Sequence, residues 1–165
     1  MASKLDKTGF TNALGQFASG VTVVITADGH GGFAGFTSSA FSSLSLEPPL
    51  VLVCLQNDAD CYRAFMEADQ FTVSILSSDQ LDMGLRFATK SIDKMQGTPA
   101  VPGEATGLPL VERASGWLEC RTWGRYDGGD HTILVGEVLA AVVGSEEPLL
   151  RYNRGFGRFA PAQVT

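Results

Sequence analysis

The run from Gly35 to Leu55 constrains this chain more than any other segment. Its first half, Thr37-Ser38-Ser39-Ala40-Phe41-Ser42-Ser43-Leu44-Ser45, sets hydroxyls and small side chains almost side by side. It then turns through Pro48 and Pro49 into Leu50-Val51-Leu52-Val53-Cys54-Leu55, an apolar β-forming run. The expectation is a polar loop over Thr37–Ser45 pinned to a strand buried on both faces. Ser and Thr are common in solvated loops that bind nothing. The same hydroxyls and their backbone amides, with Ala40 small enough to let backbone approach a ring, also suit a phosphate and a heteroaromatic ring.

The remaining pattern is one of hairpins. Val21–Ala27 is β-branched, Asp28-Gly29-His30-Gly31-Gly32 is a turn, and Phe33–Thr37 reads as the returning strand. Phe71–Leu76, Trp117–Tyr126 and Thr132–Val143 are further strands, the last two joined by Asp127-Gly128-Gly129-Asp130. Short helices are expected over Thr11–Phe17, capped by Thr8 or Thr11, over Cys61–Ala68, capped by Asp60, and over Gln80–Ala88. Residues 89–109 carry three prolines and read as an irregular excursion, a kind of segment often tied to function. The C-terminal Leu149–Phe159 is rich in Arg and aromatic residues. No strand–helix–strand alternation suggests a parallel sheet, so the fold class is mainly β, an antiparallel barrel with short flanking helices.

At 165 residues the chain reads as one domain with a sizeable core. Its net charge of −6 argues against nucleic acid as a partner. No apolar run is long enough for a membrane span, and no signal-like core opens the N-terminus, so the expected location is the cytoplasm. Cys54, Cys61 and Cys120 show no metal spacing and read as free thiols, Cys54 and Cys120 as small core residues and Cys61 as one that can approach a ligand. Neither a G-x-G-x-x-G after a strand, a P-loop, an H-E-x-x-H nor a nucleophile elbow is present.

The 35–50 segment resembles the G-x-T-x-S-[AS]-F-x-S-[VL]-S-x-[DE]-P-P-L motif of the flavin reductases that serve two-component monooxygenases. Phe17–Val24, Phe71–Leu76 and Gly129-Asp130-His131-Thr132-Ile133-Leu134-Val135-Gly136-Glu137-Val138 resemble three more of that family's segments, in order, from about Phe10 to Phe159. The resemblance implies the split-barrel flavin-binding fold, a homodimer, FAD or FMN as flavin, and NADH, or NADPH, as reductant. Trp117, Trp123 and Val138–Val143 are candidates for the dimer contact, although packing within one subunit explains them equally well.

By the same resemblance, Thr37, Ser38, Ser39, Ala40, Ser43 and Ser45 contact the flavin, with Cys54, Leu55, Gln56, Asn57 and Cys61 lining it. Where relatives place Lys, Arg or Ser shortly after this strand, the chain has Asp58 and Asp60, which would repel a phosphate unless they point away. Arg86, Phe87 and Ala88, with Ser91, form the alternative phosphate site, since a guanidinium pairs bidentately with phosphate oxygens; an arginine near a helix C-terminus is also favoured by the helix dipole alone. His131 is implied beside the flavin ring as an orienting group for the nicotinamide, and Tyr152, Asn153, Arg154 and Gly155 as contacts to the nicotinamide nucleotide. No side chain is assigned as catalytic, because hydride transfer needs no base.

The expected function is an NAD(P)H:flavin oxidoreductase that hands reduced flavin to a flavin-dependent monooxygenase. Two alternatives are a flavoprotein that keeps its flavin for electron transfer, like a flavoredoxin, and a non-catalytic flavin-binding module on the same barrel.

Overall fold

A computed structural model describes residues 5–161. In chain order the elements are α1 (Lys7–Gly15), β1 (Ser19–Gly20), β2 (Thr22–Ala27), β3 (Phe33–Ser38), β4 (Phe41–Leu46), β5 (Pro49–Gln56), α2 (Tyr62–Glu67) and β6 (Gln70–Ile75). There follow α3 (Leu81–Ala88), β7 (Ala100–Pro102), β8 (Pro109–Val111), β9 (Gly116–Asp127), β10 (His131–Val143), β11 (Leu149–Tyr152) and β12 (Gly155–Arg158). The fold is mainly β with three short helices among the described residues.

One seven-stranded sheet, in the order β3-β2-β6-β9-β10-β5-β4, carries the molecule, and every neighbouring pair in it is antiparallel. Its two outer strands, β3 and β4, are consecutive in sequence and joined only by Ser39 and Ala40. The sheet must therefore curl until its opposite edges lie a short link apart. At that point Cys54 N–H donates to the Ala40 carbonyl at 3.0 Å and the Ser38 hydroxyl reaches the Cys54 carbonyl at 3.5 Å. No ladder joins β3 to β4, so the sheet is open along this seam. Register shifts in β10 at Val135/Gly136 and Val138/Ala140 add the local bend that curling requires. Gly136 is needed there because a Cβ would lie 2.4 Å from Phe71 Cζ.

β2 is buried on both faces and divides the core in two. Val24 packs inside the curl with Phe36, Val53, Leu55, Phe65, Phe71 and Leu134. Val23 and Ile25 point the other way, to Leu76, Val111 and Phe87 of α3. Each such side chain contributes about 1.5–3 kcal/mol on burial. The second cluster locks α3 against the strands that lead to the seam.

Several expectations are corrected. Residues 41–46 form strand β4, because β5 offers a ladder from Phe41↔Val53 to Leu46↔Pro49 that overrides the loop preference of serine. β5 is not buried on both faces: Val51, Val53 and Leu55 are buried, whereas Leu50, Leu52 and Cys54 are half-buried, since no layer fully covers that side. The first helix begins earlier, at Lys7, because the Asp6 carboxylate caps it by accepting from Thr8 N–H (3.1 Å) and Gly9 N–H (3.0 Å). Asp60 does not cap α2, because its carboxylate is engaged by residue 91. The 89–109 excursion is irregular apart from β7, which pairs with β8. Its far turn is held by buried Glu119, whose carboxylate accepts from Ala105 N–H (3.0 Å), Thr106 N–H (2.7 Å) and the Thr106 hydroxyl (2.7 Å). Burial alone would raise the Glu119 pKa, but these donors outweigh it and hold the carboxyl below its ordinary value.

Candidate functional site

Two cavities flank the seam between β3 and β4. The smaller, about 260 Å³, is walled by Thr37, Ser38, Ser39 and Ala40 on one side, and by Cys54, Leu55, Gln56 and His131 on another. Phe87 and Ala88 at the end of α3, with Lys90 and Lys94 beyond it, form the third wall. The larger, about 820 Å³, lies between α1 and the β11–β12 turn, with Leu14, Phe17, Phe41, Arg151, Tyr152, Asn153 and Arg154 among its walls. Ser39, Ala40 and Cys54 line both, so the cavities meet where the sheet edges approach. Ligand sites commonly occupy about 300–1,000 Å³, a range the larger cavity reaches by itself.

The hydroxyls at the seam are unequal. Thr37 Oγ1 donates to the Gly84 carbonyl of α3 at 2.6 Å, and Ser38 Oγ accepts from Ala40 N–H at 3.0 Å. Both are occupied by the fold itself. Ser39 Oγ accepts from the Arg151 guanidinium at 3.1 Å, which ties the C-terminal hairpin to the seam. Ser43 and Ser45 lie farther along β4 and line neither cavity. Asn57 also lines neither: its amide donates to the Gly129 carbonyl at 3.0 Å and accepts from Thr132 Oγ1 at 2.9 Å, fixing the turn that carries His131.

The cysteines part company with expectation. Cys61, expected near a ligand, is buried in the core inside the curl, and burial raises its thiol pKa. Cys54, read from its apolar run as a core residue and by the resemblance as lining the flavin, is half-buried and faces both cavities. Cys120 is a core thiol as expected, pushed up to about 12 by burial.

Arg86 and Ser91 do not line the smaller cavity. The Arg86 guanidinium donates to the Gln96 carbonyl at 2.5 Å, and Ser91 N–H donates to Asp60 at 2.6 Å. The cations that do face it are Lys90 and Lys94, which sequence reading missed. Lys94 Nζ donates to the Gly35 carbonyl on β3 at 3.0 Å, and Lys90 Nζ pairs with Asp58 at 3.0 Å. Their signal was their place just after α3, inside the excursion. His131 Nδ1 lies 2.6 Å from an Asp130 oxygen, and this contact holds the Asp130 carboxyl below its usual range.

At the larger cavity, Tyr152 Oη donates to Gln16 Oε1 at 2.7 Å, Asn153 N–H to the Gly15 carbonyl at 2.7 Å, and the Arg154 guanidinium to Asn12 Oδ1 at 2.9 Å. Asn153 and Arg154 adopt left-handed backbone, with φ of 45° and 65°. Gly155 closes this turn and lines neither cavity. Among the described residues no group of three or more His, Cys, Asp or Glu side chains is placed to hold a metal.

Comparison with known proteins gives a consistent picture. Residues 14–160 match the family described as flavin reductase like domain. The chain is 42% identical over 158 residues to the reductase component of the 4-nitrophenol 4-monooxygenase/4-nitrocatechol 2-monooxygenase of Rhodococcus opacus, covering 95% of this chain and 83% of that protein. It is 39% identical over 159 residues to an FMN reductase (NADH) of Agrobacterium fabrum, covering 92% and 85%. The solved NADH:FAD oxidoreductase of Streptomyces globisporus, in complex with NAD and FAD fragments, superposes with a TM-score of 0.89 at 36% identity, covering 98% of this chain and 100% of that one.

Proposed function

The chain belongs to the flavin reductase like family, and from that premise we propose that it is an NAD(P)H:flavin oxidoreductase, the small component of a two-component monooxygenase. The observation that carries the reading is the meeting of two cavities at Ser39, Ala40 and Cys54. A hydride donor and a hydride acceptor need adjoining sites with little bulk between them, and here the side chains at the junction are a hydroxymethyl, a methyl and a thiol. The residues fit a flavin nucleotide: Phe87, Ala88 and Ala40 give apolar wall, the seam and β5 give backbone polar groups, and Lys90 and Lys94 give positive charge for a phosphate.

A bound flavin supplies the hydride acceptor; the chain's part is to bind, orient and leave one side open. Lys90 and Lys94 in the smaller cavity would hold the phosphate-bearing tail, and Ala40 and Cys54 at the junction would flank the ring. The nicotinamide nucleotide enters through the larger cavity, where the hydrogen-bond partners of Arg151 and Arg154 among the described residues are neutral, which leaves both guanidinium charges to an anion. His131, set by Asp130, lines the smaller cavity and would flank the ring.

The same reading takes residues 1–165 as one split-barrel domain acting as a homodimer in the cytoplasm. The two-residue link between opposite sheet edges supports the barrel. Exposed Trp123, Val142, Val143 and Leu46, and an α1 that buries none of its residues, support a second copy packed on this one. Free cysteines suit a reducing compartment.

The test is steady-state oxidation of NADH and NADPH by the purified protein with added FMN or FAD. Turnover that depends on added flavin is expected, and its absence overturns the reading. Yellow colour that survives gel filtration would instead favour a protein that retains its flavin.

A further inference from the structure

Two carboxylates follow β5, and one of them, Asp60, lines the cavity proposed to hold a phosphate. Neither is free. Asp60 Oδ2 accepts from Ser91 N–H at 2.6 Å, a short charge-assisted hydrogen bond. Asp58 takes Lys90 Nζ on both its carboxylate and its carbonyl, each at 3.0 Å. The turn that carries them is rigid: Asn57 N–H donates to the Asp130 carbonyl at 3.0 Å, and Ala59 N–H to the Gln56 carbonyl at 3.1 Å. The strap from Lys90 to Lys94 is thus bolted to the end of β5 at one end, and to β3 through Lys94 and the Gly35 carbonyl at the other.

We propose that Asp60, acting through the Ser91 amide, is a positioning residue that presents Lys90 and Lys94 to the phosphate of a flavin nucleotide. The inference rests on the flavin reading above. Ser91 has φ of 60°, a backbone conformation a non-glycine residue holds only when something fixes it. The bond to Asp60 holds it there, between Lys90 and Lys94, both of which line the cavity. Of the two acids, Asp60 matters more. Both contacts are exposed, but Asp58 meets only the side-chain ammonium of Lys90, in the kind of exposed pair that contributes little, whereas the Asp60 bond, at 2.6 Å, is made to the backbone of the strap. The Asp58 charge is paired with Lys90 of the strap; Asp60, which itself lines the cavity, keeps its charge and accepts from the Ser91 amide.

Binding of FMN and of riboflavin to the full-length protein, followed by quenching of flavin fluorescence without reductant, tests this. The two ligands differ only in the phosphate. Asp60→Ala should weaken FMN binding about tenfold and leave riboflavin unchanged. Asp60→Asn should restore most of the loss, because an amide oxygen still accepts from Ser91 N–H. Lys94→Met should abolish the preference for FMN over riboflavin without touching Asp60, and so tests the strap even if Asp60→Ala folds poorly. Tighter FMN binding by both Asp60 variants would mean that the carboxylate merely repels phosphate, and would overturn the proposal. Equal weakening of both flavins, or no change in either, would overturn it too. A wild-type protein that binds neither flavin would fail earlier, on the flavin reading itself.

Discussion

The two cavities meet at three residues yet are built in opposite ways. The smaller is walled by the core: β3 and β5 belong to the main sheet, and α3 is locked in by Phe87, 1% exposed. The larger rests on β4 and β5 of the same sheet through Phe41, Leu52 and Cys54, but its other walls are α1, which buries nothing, and a two-strand turn held to it by exposed hydrogen bonds. A core-backed wall shifts only if the fold does, whereas peripheral elements joined by exposed bonds open at low free energy. The difference matches the proposed division of labour, a fixed seat for the flavin tail and an adaptable entrance for a visiting nucleotide.

Substitution at the junction should break that division most severely. Ala40→Leu places a branched side chain where the cavities meet. Because Ala40 is exposed, its melting temperature should stay near wild type. A misplacement of the reacting groups by about 1 Å can cost roughly a hundredfold, and a loss of that order in flavin-dependent NADH oxidation is expected. An active Ala40→Leu enzyme would show that the two ligands meet elsewhere.

Gly35→Ala addresses the small cavity's rigidity. A Cβ there would sit 2.7 Å from the Val24 carbonyl and 2.8 Å from Phe87 Cε1. Overpacking of this kind costs about 1–3 kcal/mol, read as a lower melting temperature, and flavin affinity should fall with it as Phe87 is displaced. A control lies outside both cavities. Glu119→Gln mismatches buried donors and should cost about 1–3 kcal/mol near neutral pH without changing flavin affinity. The folded pKa of Glu119 is lowered, so its contribution is complete above the ordinary carboxylate range and is lost as pH falls through the lowered value. Denaturation across pH should show the variant and wild type converging in acid.

The smallest effect belongs to the periphery. Asp6→Ala removes the α1 cap, worth about 1 kcal/mol to that helix. It should raise the KM for NADH a few-fold and leave flavin affinity alone. A change in flavin affinity of the same size would show that the two cavities are not separable.

The sequence carried the sheet well because hairpin turns such as Asp127–Asp130 and alternating apolar residues are local signals. It misled where a partner strand decided the outcome: Ser42-Ser43-Leu44-Ser45 looks like loop until β5 is beside it. Of the candidate site, the seam residues Thr37 to Ala40 and His131 were legible as motif residues, and they line a cavity. It was not legible at Lys90 and Lys94, whose direction depends on Asp58, on Asp60 and on a carbonyl of β3. Nor could sequence separate Cys54 from Cys61, because adjacent apolar runs do not reveal which thiol faces the core. Arg86 shows the same limit, since its partner is a backbone carbonyl of a loop without regular structure.

A crystal structure of the protein grown with FMN and NAD⁺ together bears most directly on the account. The expected result is an FMN phosphate beside Lys90 and Lys94, its ring over Ala40 and Cys54, and a nicotinamide stacked on that ring from the side of Arg151 and Tyr152. Both nucleotides lodged on the same side of the Ser39–Ala40 link, or a flavin bound away from Cys54 altogether, would contradict it.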